Sequence, residues 1–189
     1  MSGVNQQERL SINEAKKWYL AGFIEGEGSL CVSIKNMPNS RFGYLVDPEF
    51  FLYQHKSGIT QLHLAREIFG TGRIAPKSGN EDVLVYSIVN RRTIKERVIP
   101  FFTRFKFLSS KMKKNFMLFQ QITELMNENG HLNADGLMKI IQIRESLNEG
   151  RGRKRKYSIN HHKDFLSENP QRLNAKSSPT FRKSGAGMI

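Results

Sequence analysis

The segment Leu20-Ala21-Gly22-Phe23-Ile24-Glu25-Gly26-Glu27-Gly28 sets two glycines four residues apart in one apolar stretch and closes it with two carboxylates. A glycine inside a helix costs about 1 kcal/mol relative to alanine, so a short helix that keeps two needs a packing reason. Residues four apart share a helix face, and small residues at that spacing let a second helix backbone come close. Ala21 and Glu25 lie next to the same face. Upstream, Ser11-Ile12-Asn13-Glu14 has the form of a capping box, with hydroxyl and glutamate each taking an orphan amide. The helix is therefore predicted from near Ile12, through Trp18, Tyr19 and Ile24, to a stop at Gly26 or Gly28. Glu25 and Glu27 then fall at the negative end of the helix dipole, where acids are disfavoured by a few tenths of a kcal/mol. A bound divalent cation reverses that penalty, and Mg²⁺ is satisfied by one or two carboxylates with water and phosphate oxygens. The plain alternative is a pair of solvated glutamates, which leaves the double glycine without a reason.

Beyond the glycines the hydrophobic period changes from helical to alternating. Leu30, Val32 and Ile34 alternate with smaller or polar residues and predict a strand with one wet face. Asn36 to Ser40 carries turn chemistry, and Tyr44 to Gln54 predicts a second strand in which Pro48 marks an edge or bulge. Ile59 to Phe69 reads as a helix ending at Gly70. Arg73 to Lys77 and Val83 to Val89 form a hairpin around Ser78-Gly79-Asn80. Thr93-Ile94-Lys95-Glu96 is a second capping-box pattern, leading to a helix with a break at Pro100. A longer helix runs from Ser110 to Asn127, with Phe116, Phe119, Ile122 and Leu125 or Met126 on its apolar face. A last helix runs from Asn133 to Leu147 and closes at Gly150. Phe101, Phe102, Phe105 and Phe107 are read as core. The order is α-β-β-α-β-β-α-α, an α+β domain whose sheet is covered by helices on one face.

Charge is less decisive than it first looks. The net charge is +13, but ten basic residues from Gly150 onward against Asp164 and Glu168 put +8 of it in the last segment. The body keeps only +5, so nucleic acid is a plausible partner and not a required one. The segments are read as an N-terminal arm over 1–11, the folded domain over 12–149, and a basic, mostly disordered extension over 150–189 that includes Arg151 to Lys156 and the pair His161-His162. The five histidines show no metal-ligand spacing. A single cysteine, Cys31, excludes an internal disulfide and points to a reducing compartment. No apolar run approaches the roughly 20 residues of a membrane span, and the polar stretch Ser2 to Glu14 does not read as a secretory signal.

The nine residues from Leu20 to Gly28 resemble the signature of the LAGLIDADG homing endonucleases, with Phe23 in place of a leucine, Glu25 and Glu27 in place of aspartates, and Gly26 in place of an alanine. The element order from Ile12 to Leu147 is similar to that family's αββαββα core, so the resemblance implies a saddle-shaped antiparallel sheet under helices. One copy of the signature implies a homodimer, joined through Leu20, Ala21, Gly22, Phe23, Glu25 and Gly26. It implies a divalent-metal-dependent DNA endonuclease, using Mg²⁺ or Mn²⁺, that makes double-strand breaks in a long pseudo-palindromic site. Glu27 corresponds to the metal-binding acid, the Gly26 carbonyl accompanies it, and Gln54 corresponds to the residue that orders the attacking water. Lys111 and Lys113 both match the lysine that supports transition-state charge. Related enzymes place another basic residue shortly after the glutamine; Gly58 stands there in this chain, with His55 and Lys56 nearby. The wet sheet face is then the reader of duplex DNA: Ser29, Cys31, Ser33 and Lys35 on the first strand, Asp47 and Glu49 toward cytosine amino groups, His55 and Lys56, and Arg73 and Lys77 toward guanine or phosphate. The family also implies an intron-encoded origin, in a chloroplast or mitochondrion or in a prokaryotic cytoplasm. Two alternatives accompany it: an RNA-binding maturase acting on intron RNA, and a DNA-binding protein that has lost cleavage.

Overall fold

Helix α1, Ile12–Glu27, runs without interruption into strand β1, Gly28–Asn36. The computed structural model describes residues 12–37, 39–149 and 159–170; the 1–11 arm, the Ser11 cap and the Arg151–Lys156 run lie outside them. Helix and strand join directly because Gly28 has no side chain: a Cβ there would lie 2.5 Å from the carbonyl oxygen and from Cγ2 of Ile24.

Four strands form one antiparallel sheet in the order β1-β2-β4-β3, with β2 at Tyr44–His55, β3 at Arg73–Lys77 and β4 at Asn80–Ile88. Gly28 pairs with Leu52 and Asn36 with Tyr44, whereas β4 pairs with β2 only from Phe50 onward. Pro48 therefore sits where β2 has a neighbour on one side alone, as a residue without an N–H requires. Leu30, Val32, Ile34, Phe50, Leu52, Tyr86 and Ile88 are buried on the helix-covered face, and the alternation leaves the other face of the sheet uncovered by helices.

Helix α2, Ile59–Phe69, closes on Gly70 in the left-handed region (φ 64°), a conformation that glycine adopts at no steric cost. The next helical run starts earlier than the Thr93 box predicts. Asn90 is extended and its side chain accepts from the Thr93 amide at 3.1 Å, so Thr93 lies inside α3, Arg91–Thr93. A π-turn at Ile94–Val98 carries the chain into α4, Ile99–Arg104. Helix α5, Ser110–Asn127, is capped by Ser109. Helix α6, Ala134–Ser146, is capped by Asn133 and ends at Leu147, matching the predicted span; Gly150 lies outside the described residues. The four phenylalanines from Phe101 to Phe107 are core as predicted, with Phe102 and Phe107 stacked at 4.5 Å. After α6, Asn148 donates to the Leu30 carbonyl at 2.7 Å, and Arg144 donates to the Val32 carbonyl at 3.1 Å. These side chains occupy acceptors along the open edge of β1.

Part of the extension expected to be disordered is a helix. Helix α7, Ile159–Glu168, packs on the turn before β2: the rings of Phe165 and His162 lie 5.3 and 5.0 Å from that of Tyr44. Gly43 (φ 74°) must be glycine here, since a Cβ would stand 2.6 Å from the Phe165 ring. His162, 1% exposed, has no hydrogen-bond partner at either ring nitrogen. Burial, helped by His161, pushes its pKa down to about 4, so a neutral imidazole serves as an apolar residue of this contact.

Candidate active site

The motif helix has two faces, and the side chains sort sharply between them. Leu20, Ala21 and Ile24 are buried at 0%, 5% and 0% exposure, pointing into the core of their own chain. Leu20 and Ala21 thus belong to the core of the single chain, and the exposed surface of this helix is formed by other residues of the nonapeptide. Gly22 and Gly26 lie on the opposite, exposed face, and a Cβ built at either meets no atom within 4 Å. Nothing in the described chain explains why these two positions lack a side chain. Trp18 and Tyr19 flank them, 43% and 54% exposed, and Phe23 is half-buried, its ring stacked 6.4 Å from that of Tyr19.

Glu25 has turned sideways. Its two carboxylate oxygens accept from the amides of Leu108 at 2.9 Å and Ser109 at 2.6 Å. These amide bonds, Leu108 first, and the nearby charge of Lys113 hold its pKa below the usual carboxylate range. Glu25 thus ties the end of α1 to the start of α5, an internal duty that sequence reading missed. The only signal for it was an acid placed where the helix dipole disfavours one. Glu25→Gln, which leaves one neutral acceptor for two amides, is expected to weaken this cap by about 1 kcal/mol and to lower the thermal midpoint by about 2–4 °C. Thermal unfolding followed by circular dichroism checks it; an unchanged midpoint would remove Glu25 from the account of the α1–α5 junction.

Glu27 stays exposed at the C-terminal end of α1, whose last turn carries no basic residue, and it makes no hydrogen bond or ion pair with the described residues. It presents a free carboxylate beside the carbonyl-rich helix end, a set of hard oxygen donors that fits Mg²⁺ or Mn²⁺ and no soft-ligand metal. Among the described residues no three His, Cys, Asp or Glu side chains gather into a metal cage, so the donor set of one chain is sparse and leaves room for water and phosphate.

The register brings Gln54 to the same end of the sheet, two residues beyond the Gly28–Leu52 pair. Its Oε1 accepts from the His55 amide at 2.7 Å, which fixes the side chain and leaves the NH₂ as donor. Gly58 makes room for it, because a Cβ there would lie 2.7 Å from Gln54 Cγ. That packing gives a physical reason for glycine at this position. Lys111 and Lys113 are exposed at the start of α5, and only Lys113 acts on Glu25.

Ser29, Cys31, Ser33 and Lys35 lie on the open face of the sheet, as predicted. Lys35 bridges Asp47 and Glu49, at 3.2 Å to each, so the three charges form one cluster. Arg73 and Lys77 lie on the exposed edge strand. His55 and Lys56 do not point freely outward: His55 caps the short turn Lys56–Gly58 by accepting from Ser57, and Lys56 pairs with Asp82. Sequence reading missed the apolar residues of the same face, Phe51, Tyr53, Val83 and Val85.

A family model described as LAGLIDADG endonuclease matches residues 20–123. Among characterised proteins, DNA endonuclease I-CeuI of Chlamydomonas moewusii is 39% identical over 150 residues, covering 78% of this chain and 69% of that protein. Among solved structures, the group I intron-encoded homing endonuclease I-CeuI complexed with DNA has a TM-score of 0.76 and 36% identity, covering 84% of this chain and 79% of that one. The archaeal intron-encoded homing endonuclease I-Vdi141I complexed with DNA has a TM-score of 0.75 and 30% identity, covering 83% and 98% respectively.

Proposed function

Since this chain belongs to the LAGLIDADG endonuclease family, we propose that it is an intron-encoded homing endonuclease: a homodimer that makes double-strand breaks in a long, roughly two-fold-symmetric DNA site with the help of a divalent metal. The observation that carries the reading is the α1 end, where an exposed, unpaired Glu27 stands one turn from a glycine face that is open in the single chain. Pairing two such faces brings two Glu27 carboxylates together at the dimer axis, one for each DNA strand.

Glu27 and the Gly26 carbonyl would hold the ion. When bound, such an ion neutralises charge at the scissile phosphate and lowers the pKa of water. The chain's own groups do the rest. The Gln54 NH₂ donates to the attacking water and orients it; Lys113, or Lys111 two residues before it in α5, sets positive charge against the phosphate as negative charge grows on it. Glu25 keeps the lysine-bearing helix start fixed to the acid-bearing helix end. The open face lies in the major groove, with the cluster of Lys35, Asp47 and Glu49, the serines Ser29 and Ser33, Cys31, and Arg73 and Lys77 supplying base and phosphate contacts. Expression from an organellar intron, or in a prokaryote, suits the intron-encoded relatives, and among the described residues no helix is long and apolar enough to cross a membrane. No observation favours the maturase or the non-cleaving reading.

The test is cleavage of a library of candidate insertion sites with Mg²⁺ present and then chelated. Breaks at one symmetric site, lost on chelation and recovered when Mg²⁺ is returned, are the expected result. Tight binding without cutting would replace this reading with a DNA-binding protein.

A further inference from the structure

The open face of the sheet is mostly polar at one end and carries an apolar strip at the other. Near Asn36 and Tyr44 it bears Lys35, Asp47 and Ser33 beside Leu45, while toward Gln54 an apolar row forms and Phe51 lies between Ser29 and Ser87. Tyr53 pairs with Val85, and Val85 in turn with Ala75, in a row across three strands. Phe51 lies alongside, its ring 6.2 Å from that of Tyr53, and Val83 extends the strip on the other side, opposite His55. Lys77 reaches over the Tyr53 ring at 5.9 Å, and Arg73 pairs with Ser87 beside the strip, so cations rim an apolar centre.

Apolar side chains pressed against base edges leave buried donors and acceptors unsatisfied, at a cost of about 1–3 kcal/mol each. The major groove offers one group that escapes this cost, the 5-methyl of thymine. From the pairing of an apolar strip with a rim of cations, we infer that Phe51, Tyr53, Ala75, Val83 and Val85 read thymine methyl groups, and that each half-site carries thymines on its cleavage-proximal side. The inference rests on the reading above, that this face binds duplex DNA, and adds base identity and position to it. Position follows from β2, on which Tyr53 lies next to Gln54 and six residues from Asp47. That separation is on the order of 20 Å, or about six base-pair steps. The charged cluster thus reads the outer part of the half-site and the strip reads the inner part.

Deoxyuridine differs from thymidine only by the missing methyl, so it tests this in one atom group. With the full chain and the site chosen from the library, each thymine is replaced in turn by deoxyuridine and the Kd measured. A fourfold loss per methyl, or about fifteenfold when both half-sites are substituted, is expected at a cluster of inner positions. Val85→Thr, which keeps the shape of the side chain, should abolish the sensitivity at one of those positions. A site that is selected and cut, yet binds within twofold after all inner thymines are replaced, overturns the inference alone; so does sensitivity confined to the outer positions. A protein that selects no site overturns the endonuclease reading and this inference with it.

Discussion

Glu27→Gln is expected to cut cleavage by about a thousandfold or more while leaving DNA affinity within a few-fold. The substitution keeps the shape of the side chain and removes the one charge that an ion at the α1 end would require. Losing several kcal/mol of charge stabilisation in the transition state corresponds to that factor. The same change removes an acid from the negative end of a helix dipole, which favours the folded state by a few tenths of a kcal/mol. Glu27 makes no hydrogen bond or ion pair with the described residues, so no native contact is lost in exchange. The variant should therefore be at least as stable as the parent and still bind the site. Single-turnover cleavage, a gel-shift titration and a thermal melt on one preparation separate these effects. Cleavage within tenfold of the parent would remove Glu27 from the chemistry, and a lowered melting point would show that it has a structural partner.

Gly22→Leu is expected to yield a stable monomer that no longer makes double-strand breaks. Within the chain the substitution meets open space, as no atom lies within 4 Å of the new Cβ, and it relieves a helix of about 1 kcal/mol of glycine penalty. Between two chains the leucine occupies the volume through which the partner's backbone must approach. A displacement of even about 1 Å at a catalytic constellation costs on the order of a hundredfold, so cleavage should fall at least that far. Sedimentation beside a cleavage assay checks both halves of the claim. A dimer that still cuts would place the interface elsewhere, and a monomer that cuts both strands would end the two-chain mechanism.

Both variants are expected to pair unchanged or improved folding with lost activity, because the motif keeps residues that the isolated fold does not want. That conflict was legible in the sequence: two glycines inside a helix and an acid at its wrong end. The strands were legible for a different reason, since Leu30, Val32 and Ile34 face one core and the period of two is unbroken. What escaped was information held in three dimensions. The nonapeptide reads as one unit, but the turn of the helix sends Leu20 and Ala21 inward and Gly22 and Gly26 outward. Glu25 looked like a twin of Glu27 because its partners, the amides of Leu108 and Ser109, lie more than 80 residues away in sequence. Position 93 had the right residue at the right spacing for a cap, and Asn90, extended two residues past the end of β4, took the cap instead. Helix α7 sets His162 three and four residues before Phe165 and Leu166, and nothing local announces that His162 is buried and neutral.

For the proposed homodimer, the path of the chain after α6 bears on how two copies can be joined into a single polypeptide. Asn148 returns to Leu30, beside the start of β1, and α7 then carries the backbone to the opposite end of the sheet at Gly43 and Tyr44. A tether that leaves at Asn148 has to climb the length of one motif helix to reach the next copy's Ile12, roughly 24 Å for 16 residues. A tether that leaves after α7 must first recross the sheet, adding roughly 30 Å for the nine residues of β1. A flexible linker covers distance only as the square root of its length, so the second route calls for several times as many residues. The choice of exit point, more than linker composition, decides whether a single-chain version closes its own interface or trades halves with a neighbour.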